Sequence, residues 1–404
     1  MFGKHLQRII ALLLLPLVFA CGKNDEDVDV TVPPGIICPQ GSAQTAMKGE
    51  KIIVNAVGIA ETTVVTVKFG KETTLTRTGP GIVSYAFTKS GNKTITVTMS
   101  PAEVPETSFK LHVEKLESLQ MLASRLKMDP NLCLVMAHRG NSSDWSIPEN
   151  SLAAIDKCIV DKVDIFETDV YTTKDGVLVI SHDADLSRET NGSGSISGKT
   201  LAQIKDLYLK DRNGNVTTQK MLTLDEFLEP CKGQIYVNID IGDRNASVQQ
   251  VVEEVAKKGM TQQVLVYCNN ADRINTAFKT NPECNVYTFV SQVSHLINAA
   301  TAGNLYFTQC GWNPTTAAAS RTGKVDSSKQ PTSASQVATA VNAGTILTVN
   351  AIYTLNTAQL YPKSFPVEQL EDIFTVFPAC QCVHVDTGAE ARASLITYGK
   401  NVIE

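Results

Sequence analysis

V-M-A-H-R-G at 135–140, P-E-N-S at 148–151, F-E-T-D-V at 166–170 and T-K-D-G-V-L-V-I-S-H-D at 173–183 form the stretch that decides the fold. Reactive side chains follow apolar, β-branched runs three times over. Residues 132–137 lead into His138 and Arg139, 163–166 into Glu167 and Asp169, and 177–181 into His182 and Asp183. Strands that deliver chemistry at their carboxyl ends look like this. Residues i and i+2 of a strand face the same way, so Glu167 and Asp169 converge. Two oxygen donors on one face, with no thiolate beside them, suit a hard cation such as Mg2+ or Ca2+. His138 and His182 add groups that carry protons near neutral pH, and Arg139 adds a forked clamp for an anion such as a phosphodiester.

Outward from this stretch, strand and helix patterns alternate to the C-terminus. Strand segments are expected at 132–137, 163–170, 235–240, 264–267, 286–289, 305–308, 346–350 and 382–385, with helices at 151–160, 247–258, 272–281, 333–343, 367–377 and 389–398. Eight strands joined by helical crossovers over residues 132–404 fit an α/β fold of the (β/α)8 TIM-barrel type, with a doubly wound open sheet as the alternative. Two insertions interrupt the alternation. Residues 185–221 follow His182 closely and are expected to overhang the strand ends, and the Ser/Thr/Ala-rich 315–332 reads as a surface loop.

Residues 34–115 read differently. Short alternating segments at 51–57, 62–69, 72–76, 82–88, 93–99 and 108–113 are punctuated by Gly and Pro, which suggests a small antiparallel all-β sandwich. The stretch 83–91 resembles an immunoglobulin-like or PKD-like module. It contains no catalytic cluster; a spacer role is expected, with contact to a glycan or protein as the other option. Residues 116–131 form a helical linker, with Leu116, Leu119, Leu122 and Leu126 on one side.

The chain begins with Lys4 and Arg8, then an apolar run at 9–20 that is too short to span a bilayer. Ala20-Cys21 resembles the processing site of a bacterial lipoprotein, with residues 1–20 as the signal and Cys21 as the lipidated residue; an ordinary secretory signal is the alternative. The acidic stretch 21–33 suits a tether. This predicts an exported protein, lipid-anchored to a bacterial envelope membrane on its periplasmic or its outer face. Net charge is −5 over 404 residues without a basic block, which argues against nucleic acid as a partner. Ten cysteines leave disulfide pairing open, and no zinc spacing occurs.

His138-Arg139-Gly140, Pro148–Ser151, Glu167–Val170, Thr173–Gly176 and His182-Asp183, in that order, resemble the motifs of glycerophosphodiester phosphodiesterases. The resemblance covers residues 132–243 most strongly and also takes in L-S-R-E-T-N-G-S-G at 186–194 and L-T-L-D-E-F-L at 222–228. It implies a metal-dependent hydrolase that cleaves glycerophosphodiesters to sn-glycerol 3-phosphate and an alcohol. His138 and His182 would be the acid/base pair, and Glu167, Asp169 and Asp240 the ligands of one divalent cation. Arg139 and Asn150 would contact phosphate; Glu149 would contribute there or start a helix. Asp183 either orients His182 or caps a turn.

Several positions depart from the family pattern. Asp240 stands where a glutamate is usual, Gly242 where a lysine is usual and Leu347-Thr348 where a tryptophan is usual. Asp386 is kept, while Val385 and Gly388 replace a threonine and a proline. These changes put the identity of the phosphodiester in question, predict a site with fewer cations, and leave open attack by the glycerol hydroxyl or by water. A related phosphodiesterase acting on another lipid- or polyol-derived diester, and a non-catalytic barrel binding phosphate or glycan, are the competing readings.

Overall fold

The computed structural model describes residues 35–38, 45–242, 244–293, 304–311, 333–352 and 367–403. The signal segment 1–20, Cys21, the acidic tether up to residue 33 and the loop 315–332 lie outside the described residues. Among the described residues, eight strands precede the linker: β1 (Gly35–Ile37), β2 (Thr45–Lys48), β3 (Lys51–Val57), β4 (Val64–Phe69), β5 (Thr73–Thr78), β6 (Gly81–Ala86), β7 (Gly91–Ser100) and β8 (Thr107–Glu117). They form a three-stranded sheet β1-β3-β6 and a five-stranded sheet β2-β8-β7-β4-β5. Val65, Val67, Phe69, Ile95 and Val97 alternate inward on one sheet and Ile52, Val54 and Ala56 on the other, forming one buried core. Pairing is antiparallel with one exception, the parallel pair β2–β8. β1 and β2 were too short to register as alternating runs in the sequence.

The expected helical linker begins late. β8 runs through Glu117, and helix α1 (Leu119–Met128) starts behind Ser118, whose Oγ accepts from the Met121 N–H at 3.2 Å. Its stripe of Leu119, Leu122, Ala123 and Leu126 packs on Leu134, Met136, Ile165, Tyr236, Leu265, Tyr287 and Phe307, the first inward residues of the strands that follow. α1 therefore plugs the end of the barrel where its strands begin. The Tyr236 hydroxyl donates to the Glu117 carbonyl at 2.7 Å, tying the end of β8 to the barrel floor.

Those strands are β9 (Leu134–Ala137), β10 (Ile165–Thr172), β11 (Leu178–Ile180), β12 (Tyr236–Asp240), β13 (Val264–Tyr267), β14 (Asn285–Phe289), β15 (Asn304–Gly311), β16 (Ile346–Asn350) and β17 (Cys380–Val385). All but β11 are parallel, and β9 pairs with both β10 and β17, so eight strands close into a barrel. Closure excludes the open doubly wound sheet. The run 177–181, which the eight expected barrel strands leave out, supplies β11 and stands outside the barrel. β11 returns antiparallel along the far end of β10, so His182 arrives on a hairpin above the barrel. Thr173-Lys174-Asp175-Gly176 is the turn of that hairpin, with Thr173 N–H donating to Val177 O.

The insertion after His182 has its own small core of Leu186, Ile196, Ile204, Leu209 and Met221. Its Arg212 donates to the Ser142 carbonyl at 2.9 Å and lies 4.6 Å from the centre of the Trp145 ring, so the insertion is fastened over the end of β9 as expected. The eight cysteines of the barrel domain (Cys133, Cys158, Cys231, Cys268, Cys284, Cys310, Cys380 and Cys382) are unpaired and buried, as small apolar residues packed in its walls.

Gly140 shows how tightly the first motif is seated. Its φ is +66°, and a Cβ there would stand 2.0 Å from the Phe166 ring. Gly176 is also left-handed (φ +81°) but faces open space. Gly140→Ala is expected to cost about 2–4 kcal/mol, backbone strain plus overpacking. Gly176→Ala should cost only the strain, about 1–2 kcal/mol. Thermal unfolding of the two variants side by side measures the difference.

Candidate active site

Along each barrel strand, every second residue faces inward, and the inward row turns from apolar to polar towards the carboxyl end. β10 reads Ile165, Glu167, Asp169; β12 reads Tyr236, Asn238, Asp240; β17 reads Cys382, His384 and then Asp386 just past its end. Asp169 and Asp240 are directly paired across β10 and β12. Glu167, Asp169 and Asp240 each bring one oxygen to within 4.8 Å of the others, and these residues line a cavity of about 90 Å³ together with His138, His182, Arg244 and His384.

Both sequence-predicted histidines are held in the same way. His138 Nδ1 lies 2.7 Å from Asp386 Oδ1, and His182 Nδ1 lies 2.6 Å from Asp183 Oδ1. Each carboxylate fixes its ring and leaves Nε2 for the cavity. Asp183 thus orients His182, and its other oxygen accepts from Arg188 Nε at 2.5 Å. Burial raises the Asp183 carboxyl, but Arg188 and His182 outweigh it and hold the group down to about 2. Burial and the Arg139 charge lower the His182 pKa and so favour the neutral ring, against the opposing pull of Asp183.

Arg139 follows β9 in a left-handed conformation (φ 54°). Its N–H donates to Glu167 Oε2 at 2.9 Å, its Nη1 donates to Glu149 at 3.1 Å, and its Nε sits 3.7 Å from Asp169 Oδ2. Asn150 is also left-handed; its N–H donates to the Arg139 carbonyl and its Oδ1 accepts from the Thr168 hydroxyl at 2.8 Å. Its buried amide nitrogen has no hydrogen-bond partner. Asn150 therefore braces the H-R-G turn. Glu149 takes Arg139 on one side and Arg188 on the other.

Two side chains that sequence reasoning missed complete the site. Arg244 lies four residues after Asp240 and bridges Asp169 Oδ1 at 2.5 Å and Asp240 Oδ1 at 3.1 Å. Gly242 makes room for it: a Cβ at 242 would meet Asp240 Oδ1 at 2.9 Å and Arg244 Nη1 at 3.3 Å. The expected shortage of cations is thus corrected, because Arg244 occupies the space beside Gly242. His384, 4% exposed, packs edge-to-face on His138 with ring centres 5.4 Å apart. The signals were present, an arginine one helical turn past a candidate ligand and a histidine two residues before Asp386, but neither lies in a motif.

The three carboxylates carry more negative charge than their cations offset. Burial drives Asp169 well above the usual carboxylate range, with the Glu167 charge adding to it, and lifts Asp240 to about 6 against the pull of Arg244. Glu167 goes the other way. Burial alone would raise it, but His384, His138 and the Arg139 N–H bring it down to about 2. Asp169 Oδ2 is buried without a hydrogen-bond partner. Crowded carboxylates that take up protons, one with an orphaned oxygen, are what a cation would resolve. His182, Asp183 and Glu189 form a second cluster of the same reach, but Arg188 already ties Asp183 and Glu189 together.

Residues 138–292 match the family model of the glycerophosphoryl diester phosphodiesterase family. Glycerophosphodiester phosphodiesterase from Caldanaerobacter subterraneus is 46% identical over 110 residues, 27% of this chain and 44% of that protein. The Bacillus subtilis enzyme is 40% identical over 111 residues, covering 25% of this chain and 37% of that protein. The matched region thus spans less than half of either relative. Among solved structures, a glycerophosphoryl diester phosphodiesterase from Parabacteroides distasonis aligns with a TM-score of 0.54 at 19% identity, over 70% of this chain and 93% of that one. That likeness is one of fold.

Linkage gives the pH dependence its sign. The Asp240 carboxyl sits at about 6 in the folded protein against an ordinary 3.8. The ion-free native state therefore binds more protons than the unfolded chain between about pH 4 and 6, and its stability falls as pH rises through that window. A divalent cation competes with those protons. Ion at about a hundred times its Kd should add roughly 2.7 kcal/mol, seen as a rise in melting temperature that is larger near pH 7.5 than near pH 5. Equal rises at both pH values would count against ligation by Asp240.

Proposed function

We propose that the protein is a metal-dependent glycerophosphodiester phosphodiesterase that releases sn-glycerol 3-phosphate and an alcohol. The observation that carries this reading is the pair of aspartate-held histidines lining one cavity with three clustered carboxylates and two arginines. One histidine accepts the proton of the attacking hydroxyl through Nε2, and the other donates a proton to the leaving alkoxide. Asp386 and Asp183 keep the two rings in place between turnovers. Arg139 and Arg244 oppose the charge that grows on the phosphoryl oxygens. A divalent cation held by Glu167, Asp169 and Asp240 would supply Lewis-acid polarisation of the phosphoryl group. Asn150 contributes by fixing the turn that carries Arg139. The match to the family model and to the two curated relatives supports the substrate class, while the glycine at 242 and the arginine at 244 leave the alcohol moiety open.

A barrel that only binds phosphate or glycan would have no need of two imidazoles each held by its own carboxylate. We further propose export and lipid attachment through Cys21, on the strength of the sequence at 1–21, with the β-sandwich as a spacer between membrane and barrel.

The test is release of glycerol 3-phosphate from glycerophosphocholine and glycerophosphoethanolamine by the chain lacking residues 1–21. Turnover that EDTA abolishes, and that His138→Ala and Glu167→Ala each reduce by about 10²–10⁴-fold, is the expected outcome. Turnover indifferent to EDTA, or intact in His138→Ala, would overturn the reading.

A further inference from the structure

The cavity has two unlike walls. Its charged lining comes from β9 to β12 and β17, and from the segments that follow them. The remaining strands, β13 to β16, contribute Tyr267, Tyr287, Gln309 and Asn350, with Ile352 just past β16, and none of these carries a charge. The inward rows account for this. β15 reads Phe307, Gln309, Gly311 and β16 reads Ile346, Thr348, Asn350, so each strand brings one amide above an apolar floor residue. Gly311 pairs with Asn350 and has no side chain, which leaves room beside that amide.

Both amides are oriented through their oxygens. Gln309 Oε1 accepts from the hydroxyl of the buried Tyr287 at 2.8 Å. Asn350 Oδ1 accepts from the Ile352 N–H at 3.3 Å, and a backbone N–H can meet only the oxygen of an amide, which fixes the sense of the group. Among the described residues neither NH2 has an acceptor. The wall therefore presents two amide donors to the cavity. Tyr267 adds apolar surface beside them, its ring meeting those of Tyr287 and Phe289 edge-to-face at 5.8 and 5.6 Å.

We propose that Gln309 and Asn350 bind the glycerol half of the substrate through its terminal hydroxyl, and that the alcohol half lies on the side of the His182 hairpin. The proposal rests on the functional reading and says which half of the diester goes where. A hydroxyl oxygen has lone pairs for an amide N–H, whereas an ammonium group such as that of choline or ethanolamine has none and would meet only dipoles of its own sign. Glycerol is the neutral, hydroxylated half, and its carbon chain suits the Tyr267 and Ile352 side of the cavity. A substrate without the terminal hydroxyl leaves the two donors unpaired, the situation in which a site built to hydrogen-bond a hydroxyl discriminates best.

The experiment compares kcat/KM for glycerophosphocholine with that for the phosphocholine diester of propane-1,2-diol, which keeps the hydroxyl next to the phosphate ester and lacks the terminal one. Calorimetry compares sn-glycerol 3-phosphate with propane-1,2-diol 1-phosphate in the same way, and reads the preference even where turnover is lost. Wild type should prefer the glycerol compound by about tenfold or more. With Gln309→Leu and Asn350→Leu combined, the preference should shrink to less than about threefold. Tyr287→Phe, which removes only the hydroxyl that orients Gln309, should lower it part of the way. A ratio taken within one variant is independent of how much of that variant is folded. No preference in wild type, or one undiminished in the double variant, would overturn the proposal and leave the functional reading standing. Wild type that hydrolyses neither diester would overturn both.

Discussion

Everything in the site depends on strict inward alternation in a closed barrel. Because side chains two apart on a strand share a face, one row on each strand serves two purposes. Its first residues, such as Ile165, Tyr236, Leu265 and Phe307, fill the floor against α1. Its later ones, Glu167 and Asp169 on β10 and Asn238 and Asp240 on β12, surround the cavity. A slip of one residue in register would send the carboxylates into the helical layer and bring Phe166 and Val237 inside. The apolar floor and the polar cavity are consequences of one pattern, and neither can change alone.

Burying so many charges sets the second constraint. Three carboxylates at the carboxyl ends of β10 and β12 are kept in the folded state by Arg139, Arg244 and a row of imidazoles, and where those fall short Asp169 and Asp240 take up protons. The same network orients the chemistry. Glu149 and Arg188 connect the turn that carries Arg139 to the hairpin that carries His182, so a motif on one loop is positioned by charges from another. The insertion after His182, with its own core, fastens this arrangement from above.

Much of this could be read from the sequence, for a physical reason in each case. Parallel strands buried on both faces must be continuous apolar runs, so the eight barrel strands were visible, 264–267 and 346–350 to the residue. Glu167 and Asp169 were visible as a pair because i and i+2 on a strand need no tertiary information. The antiparallel path of β11 was not visible, since a short apolar run reads the same in either direction. Nor were the partnerships of His138 with Asp386 and His384, which exist only because closure of the barrel brings β17 beside β9. Arg244 was hidden for a different reason: its role depends on the space left by Gly242, and a missing side chain gives no signal in a motif.

The central claim is that the inward rows of β10 and β12 converge on a single cation. Anomalous diffraction at the manganese edge, from a crystal grown with Mn2+, tests it most directly. The account predicts one strong peak within about 2.0–2.4 Å of an oxygen from each of Glu167, Asp169 and Asp240. A peak between His182, Asp183 and Glu189 instead, or none in the cavity, would contradict it.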